Sequence, residues 1–262
     1  LESVSSISCN NDTTLGKIIA EAYEKVGKDG VVLMEESKTD ETYVDLVDGV
    51  QVECGLTSPH FITNTEKQKA ELDNPLVLIV SSEIPNIRKI QNILEHVIKN
   101  NRALLLIAPV SQQVKAALTM NKVKGNIKIN IIDLPGFRPT KEDATEDLAI
   151  LTGATVINEE LGDDLDLINI DHLGEIEYAE TDSKNTVITL NDIKPEVKER
   201  IKEVQTRITD EKNGYIKTKL EERLATLSGS VGIIKVGAGS KVELKEKKDR
   251  IEDAIYATKA AL

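Results

Sequence analysis

Between Pro75 and Ile132 three short apolar runs alternate with two helical stretches, and no other feature of the sequence restricts the fold as much. Leu76 to Val80, Ala103 to Ile107 and Ile127 to Ile132 each read as a buried strand, and the stretches between them read as helices. Strand, helix, strand, helix, strand implies parallel pairing through right-handed crossovers. In the first of these helices Ile87, Ile90, Leu94, Val97 and Ile98 form one apolar stripe with Gln91 and Glu95 beside it, whereas the second, near Val114 to Val123, is much less apolar. An aromatic content of 3% with no Trp leaves Ile, Leu, Val and Ala to build the core, which suits α/β packing.

Smaller mixed elements flank this centre. Asn11-Asp12-Thr13-Thr14 supplies N-cap side chains ahead of Leu15, Ile18, Ile19, Ala22 and Val26 at helical spacing, and Gly27 is placed to end that helix. Lys28-Asp29-Gly30 reads as a turn into a strand from Val31 to Met34, and Thr42 to Val47 alternates as a second strand. Lys141 to Leu151 reads as a helix, Thr155 to Ile157 and Thr186 to Leu190 as strands, and Leu165 to Leu173 fits neither period. Two helices, one with Val197, Ile201, Val204 and Ile208 and the other with Leu220, Leu224 and Leu227, are joined through Asp210 to Gly214, a loop short enough to make them antiparallel neighbours. A final strand, Val231 to Val236, leads through Gly237-Ala238-Gly239 into a closing helix bearing Ile251, Ala254, Ile255, Thr258 and Leu262. The 262 residues therefore suggest two units, the middle inserted into an outer domain whose halves meet again, with Gly49 and Gly229 as joints.

Charge narrows the partners. Asp and Glu number 45 against 33 Lys and Arg, a formal net charge of −12 that repels phosphate backbones and anionic membranes, so neither nucleic acid nor a membrane is expected. Cys9 and Cys54 stand far apart in no metal-binding or redox spacing, which fits a reducing compartment. No apolar run approaches the ~20 residues of a membrane span, and no signal peptide opens the chain. The start at Leu1-Glu2 without Met suggests that an upstream part has been cut away.

Enzymatic motifs are weak. Val236-Gly237-Ala238-Gly239-Ser240-Lys241 places two glycines between a strand and a helix, as a phosphate cradle requires, but the third glycine of the dinucleotide fingerprint would fall at Val242 and no P-loop glycine precedes Lys241. A plain strand-to-helix turn is the simpler reading, and a metabolic α/β enzyme binding a nucleotide at Gly237 to Ser240 is the alternative function it leaves open. Glu35-Glu36, Glu159-Glu160, Glu252-Asp253 and Asp163-Asp164 with Asp166 read as solvated surface, the last lacking the spacing of a calcium loop, so no metal is expected. His60, His96 and His172 have no partner at ligand spacing, and no serine sits in a nucleophile elbow. Asp253 lies about 200° around its helix from Ile251, on the polar side.

Several segments in order resemble the group I chaperonins, the GroEL family. Gly16-Lys17-Ile18-Ile19-Ala20-Glu21-Ala22 and Lys25 to Val31, with Ser5, Ile7, Ser8, Asn10 and Asp12 before them, are similar to the first half of that family's intermediate domain. Val47-Asp48-Gly49-Val50-Gln51 with Gly55, Ser58-Pro59 and Phe61 resembles the lead-in to its apical domain, followed by Pro135-Gly136-Phe137, Ala149 to Gly153, Val156-Ile157 and Lys219 to Ala225. Ile234 to Ala238, Val242-Glu243, Lys245 to Lys248, Arg250, Glu252-Asp253-Ala254 and Ala257-Thr258 resemble the second intermediate half, so the likeness runs from about Ser5 to Leu262.

This resemblance implies residues 1–48 and 231–262 as the halves of a small α+β intermediate domain and residues 49–230 as a GroEL-like apical domain of layered β/α structure with parallel strands, the equatorial ATPase domain being absent. The implied function is molecular chaperoning: a nucleotide-free fragment of an ATP-dependent protein-folding chaperonin that holds non-native polypeptides, and the mobile loop of a GroES-like co-chaperonin, in a shallow groove between two helices. The fragment itself is then no enzyme and needs no cofactor, whereas the parent uses ATP and Mg. Carried over by position, the groove includes Leu56, Ser58, His60 and Phe61, then Gln91 and Leu94 on the first helix, and Lys115, Thr119, Met120 and Asn121 on the second. The family favours aromatic residues at Leu56 and His60 and aliphatic ones at Gln91, Lys115 and Thr119, which implies weaker or more selective capture here. Asp253 matches the carboxylate that positions the attacking water for ATP hydrolysis in the parent, Asp12 and Arg250 match a pair tying the intermediate halves together, and Gly49 and Gly229 match hinges. Cys54 and Lys241 replace an arginine and a glutamate that pair between subunits of the ring, and Ser230 replaces a second hinge glycine. The parent is implied to be a homo-oligomeric ring and the fragment a monomer, in a bacterial-type cytoplasm or an organellar matrix.

Overall fold

The structure, a computed structural model, describes residues 2–27, 31–136, 140–190 and 194–261. In chain order its elements are α1 (Glu2–Ser8), α2 (Thr13–Val26), β1 (Val31–Glu36), β2 (Tyr43–Val52), β3 (Ala70–Asp73), β4 (Leu76–Val80), α3 (Gln91–Lys99), β5 (Ala103–Ile107), α4 (Gln112–Val123), β6 (Lys128–Ile132) and α5 (Thr140–Thr152). They continue with β7 (Val156–Ile157), β8 (Gly174–Glu175), β9 (Tyr178–Thr181), β10 (Thr186–Thr189), α6 (Pro195–Asp210), α7 (Gly214–Leu227), β11 (Ser230–Val236) and α8 (Lys241–Ala260). Two compact units result, one of residues 1–49 and 229–262 and the other of residues 50–228.

In the first unit β11 is the central strand, parallel to β1 from Val31 opposite Val231 and antiparallel to β2 from Asp48 opposite Ser230. The N-cap expected ahead of α2 forms, with Asp12 Oδ1 accepting from Thr14 N at 3.0 Å and Leu15 N at 3.1 Å. Gly27, at φ 81°, ends the helix in a backbone region that favours glycine and donates its N–H to Tyr23 O. Leu15, Ile19, Ala22 and Tyr23 then face Val32, Ile234, Val236, Ile251 and Ala254 in one buried cluster. Where the chain passes between units, Gly49 N donates to Gly229 O at 3.3 Å.

The second unit contains the rhythm of the sequence as a parallel sheet ordered β6-β5-β4-β7, with β8 antiparallel along the β7 edge of β4. Strand alternation sorts its side chains onto two faces. Leu76, Leu78, Val80, Leu104, Leu106, Ile129 and Ile131 share a core with Ile90 just before α3, Ile93, Leu94 and Val97 of α3, and Val114 and Leu118 of α4. Val77, Ile79, Leu105, Ile107 and Ile132 belong to the opposite core, with Leu148 and Leu151 of α5, Val197 and Val204 of α6, and Leu220 and Leu227 of α7. Antiparallel β3, β9 and β10 add a second layer to that side, with Asp73 opposite Tyr178 and Thr189 opposite the same residue. The chain is thus mixed α/β with a parallel sheet.

The structure extends β2 five residues beyond the expected Val47, adds α1, β3, β8 and β9, and resolves the ambiguous Leu165 to Leu173 into 3-10 turns at Leu165–Leu167 and Ile170–His172. The turn read at 28–30 and the residue Phe137 lie outside the described residues. Among the described residues no helix is long and apolar enough to cross a membrane.

Candidate functional site

Because both crossover helices pack on one face of the parallel sheet, they lie side by side, and the surface between their N-terminal ends is concave. A cleft of about 380 Å³ opens there, lined by Asn86, Ile87 and Arg88 from the 3-10 turn that leads into α3 and by Gln113, Val114 and Ala117 of α4. The segments leading into the two helices are tied by their backbones, with Ile84 N donating to Pro109 O at 3.0 Å and Ser111 N to Ile84 O at 3.1 Å. Ser111 serves twice more, donating its hydroxyl to Pro85 O and accepting from Val114 N as the cap of α4. Asn86 likewise caps its turn by accepting from Arg88 N at 3.1 Å. The apolar wall of Ile87, Val114 and Ala117 can bury aliphatic side chains, while the rim of Asn86, Arg88 and Gln113 offers donors for a backbone.

The residues expected to form a groove are divided by the helical wheel. On α4, Gln113, Ala117 and Asn121 follow one another at i, i+4 along the cleft side, whereas Lys115 and Thr119 point about 160° away. That far side meets the 3-10 turn Pro59–Phe61, and Lys122 Nζ donates to Ile62 O at 2.7 Å across the contact, where burial holds its ammonium below the usual lysine range. His60 is exposed on this turn, Ser58 caps it by accepting from His60 N, Leu56 is half-buried, and Phe61 is fully buried in the core beneath. On α3, Gln91 is exposed with its amide donating to Glu95 Oε1 at 2.8 Å, and Leu94 is buried in the core. Met120 is exposed, and Asn121 donates to Ala117 O. Ile87, Arg88, Gln113 and Ala117 were not expected at the site, although the spacing back from Asn121 and the capping residues Asn86 and Ser111 point to them.

The other candidates resolve differently. Gly237 is required by crowding, since a Cβ there would come within 2.4 Å of backbone atoms of Thr39, Asp40 and Glu41. Its N–H donates to Thr42 Oγ1, and its carbonyl accepts from the Thr42 hydroxyl and from Lys247 Nζ. With those groups engaged, and with the Glu243 carboxylate 3.9 Å from where a Cβ of Gly239 would stand, this turn does not suit a phosphate. Among the described residues no group of three or more His, Cys, Asp or Glu could hold a metal ion. Asp253 is exposed on α8. No ion pair joins Asp12 to Arg250 among the described residues, because Asp12 is spent as the α2 cap and Arg250 pairs with Glu246 one helical turn away. Cys9 and Cys54 are buried free thiols, each pushed up to about 11 by burial.

No model of a known protein family matches the chain.

Proposed function

We propose that the chain is the polypeptide-holding part of an ATP-driven chaperonin of the group I type. In this reading residues 49–230 form the apical domain and residues 1–48 and 231–262 the two intermediate halves. The reading rests on the resemblance described above together with one observation, the cleft between the two crossover helices, which has an apolar wall and a donor-bearing rim. Such a cleft suits ligands that expose aliphatic side chains in no fixed order, because burial at about 25 cal/mol per Å² needs no sequence match. A non-native polypeptide and a co-chaperonin loop would share it. In this reading Asp253 serves ATP hydrolysis in the parent chaperonin.

Fluorescence anisotropy of a labelled, chemically unfolded protein titrated with the chain tests the reading. Binding is expected, and Ala117→Glu, which places a charge on the cleft wall, should weaken it at least tenfold, as expected for a carboxylate in an apolar contact. Absence of binding, or binding indifferent to Ala117→Glu, would overturn it.

A further inference from the structure

On the other flank of α3, away from the cleft, residues 158–173 form a loop built as three single 3-10 turns, Glu159–Leu161, Leu165–Leu167 and Ile170–His172. Each turn is capped by its own side chain: Asn158 accepts from Glu160 N, Asp164 from Asp166 N, and Asn169 from Asp171 N. Buried Leu165 and Ile168 anchor the loop in the core, Asn92 of α3 donates to Ile168 O, and Lys89 pairs with Asp166 at 2.7 Å. Glu159 N also donates to Ser82 Oγ at 2.8 Å.

This well-anchored loop nonetheless turns large apolar side chains outward. Leu161 is 83% exposed, Leu167 69% and Ile170 50%, and Ile98 at 51% belongs to α3, which the last turn contacts. Single exposed leucines are ordinary, but several on one short loop mark an interaction surface. Interleaved with them are Glu159, Glu160, Asp163, Asp164, Asp166 and Asp171, and from Glu142 to Ser183 the sequence holds no Lys or Arg at all.

We propose that this loop is a docking surface for a short cationic amphipathic peptide segment, its Leu or Ile side chains set against Leu161, Leu167 and Ile170 and its Lys or Arg among the carboxylates. Charge selects the occupant: the field of the loop attracts cations and repels anionic chains, nucleic acid and anionic lipid alike. Size selects it too, since four side chains fall well short of the ~800 Å² that each partner contributes to a stable protein–protein interface. A second copy of this chain, with net charge −12, is disfavoured on both counts. The proposal does not depend on the function assigned to the cleft.

The test uses two labelled helical peptides, one of Leu and Lys and its counterpart with every Lys replaced by Glu, titrated into the intact chain at low salt. The Lys peptide should bind and the Glu peptide should not. Leu161→Ser/Leu167→Ser keeps every charge and removes only outward side chains, and should weaken the Lys peptide about tenfold or more while leaving the circular dichroism unchanged. Glu159→Lys/Asp171→Lys should weaken the Lys peptide as well. No binding of the Lys peptide, equal binding of both peptides, or an affinity unmoved in Leu161→Ser/Leu167→Ser would overturn the proposal.

Discussion

Asp147 of α5 is a buried carboxylate whose partner comes from a distant part of the chain. Arg223 of α7 donates Nη2 to its Oδ1 at 2.9 Å, and Nε also binds it, while Arg200 of α6 approaches the same oxygen at 3.4 Å from the solvent side. Arg223 Nη1 lies 2.8 Å from Asp143 Oδ1, close enough for attraction without making a hydrogen bond. Removing one member of a buried pair strands the other's charge, so Asp147→Ala should cost about 3–5 kcal/mol. Arg200→Ala breaks more exposed contacts and should cost under about 1 kcal/mol. Urea denaturation of the two variants measures the contrast, and equal midpoints would refute it. Nothing in the sequence announced this pair, because the residues are 76 positions apart and neither spacing nor composition links them. Local signals fared better: Asp12 and Gly27 were legible as the ends of α2 because a cap needs only its own turn.

At the scale of elements, legibility followed apolar contrast. The strands β4 and β5 were read to the residue, since every position in each is buried and the run simply stops at polar residues. Strands β3 and β9 went unseen because each is only four residues long and their burial is partly polar: Thr181 of β9 is enclosed by hydrogen bonds to Asn130 and Thr186. The phase of α4 was the least legible in the sequence. With only Val114 and Leu118 buried along twelve residues, its apolar stripe is too sparse to fix the phase, and likeness alone put Lys115 and Thr119 at the groove. The observed phase makes a discriminating prediction. Gln113→Leu enlarges the apolar wall of the cleft and should tighten capture of an unfolded protein several-fold, about 1 kcal/mol, whereas Lys115→Leu on the far side should leave the affinity unchanged. Anisotropy titrations of both variants decide the matter, and a gain from Lys115→Leu with none from Gln113→Leu would reverse the assignment.

For the molecule as a whole, the important fact is that the hydrophobic clusters respect the division of the chain. Among the described residues, one cluster draws only on 1–49 and 229–262, and the other two only on 50–228. A domain with its own core can fold alone. Residues 50–228 expressed by themselves should therefore give a cooperative urea transition with an α/β circular dichroism spectrum. Residues 1–49 alone should not, because β11 and α8 supply the central strand and four of the ten buried residues described in their core. A featureless spectrum for 50–228 would contradict this. The nested arrangement was readable in outline from Gly49 and Gly229, since glycine near a change in patterning is a local signal. The exclusivity of the cores was not, because it depends on contacts between distant segments.

The hydrogen bond from Gly49 N to Gly229 O means that the second unit leaves and rejoins the first at almost the same point in space. Residues 50–228 thus have the geometry of a portable cassette: excised at its two neighbouring ends, it could be spliced into a surface loop of an unrelated host without stretching either protein.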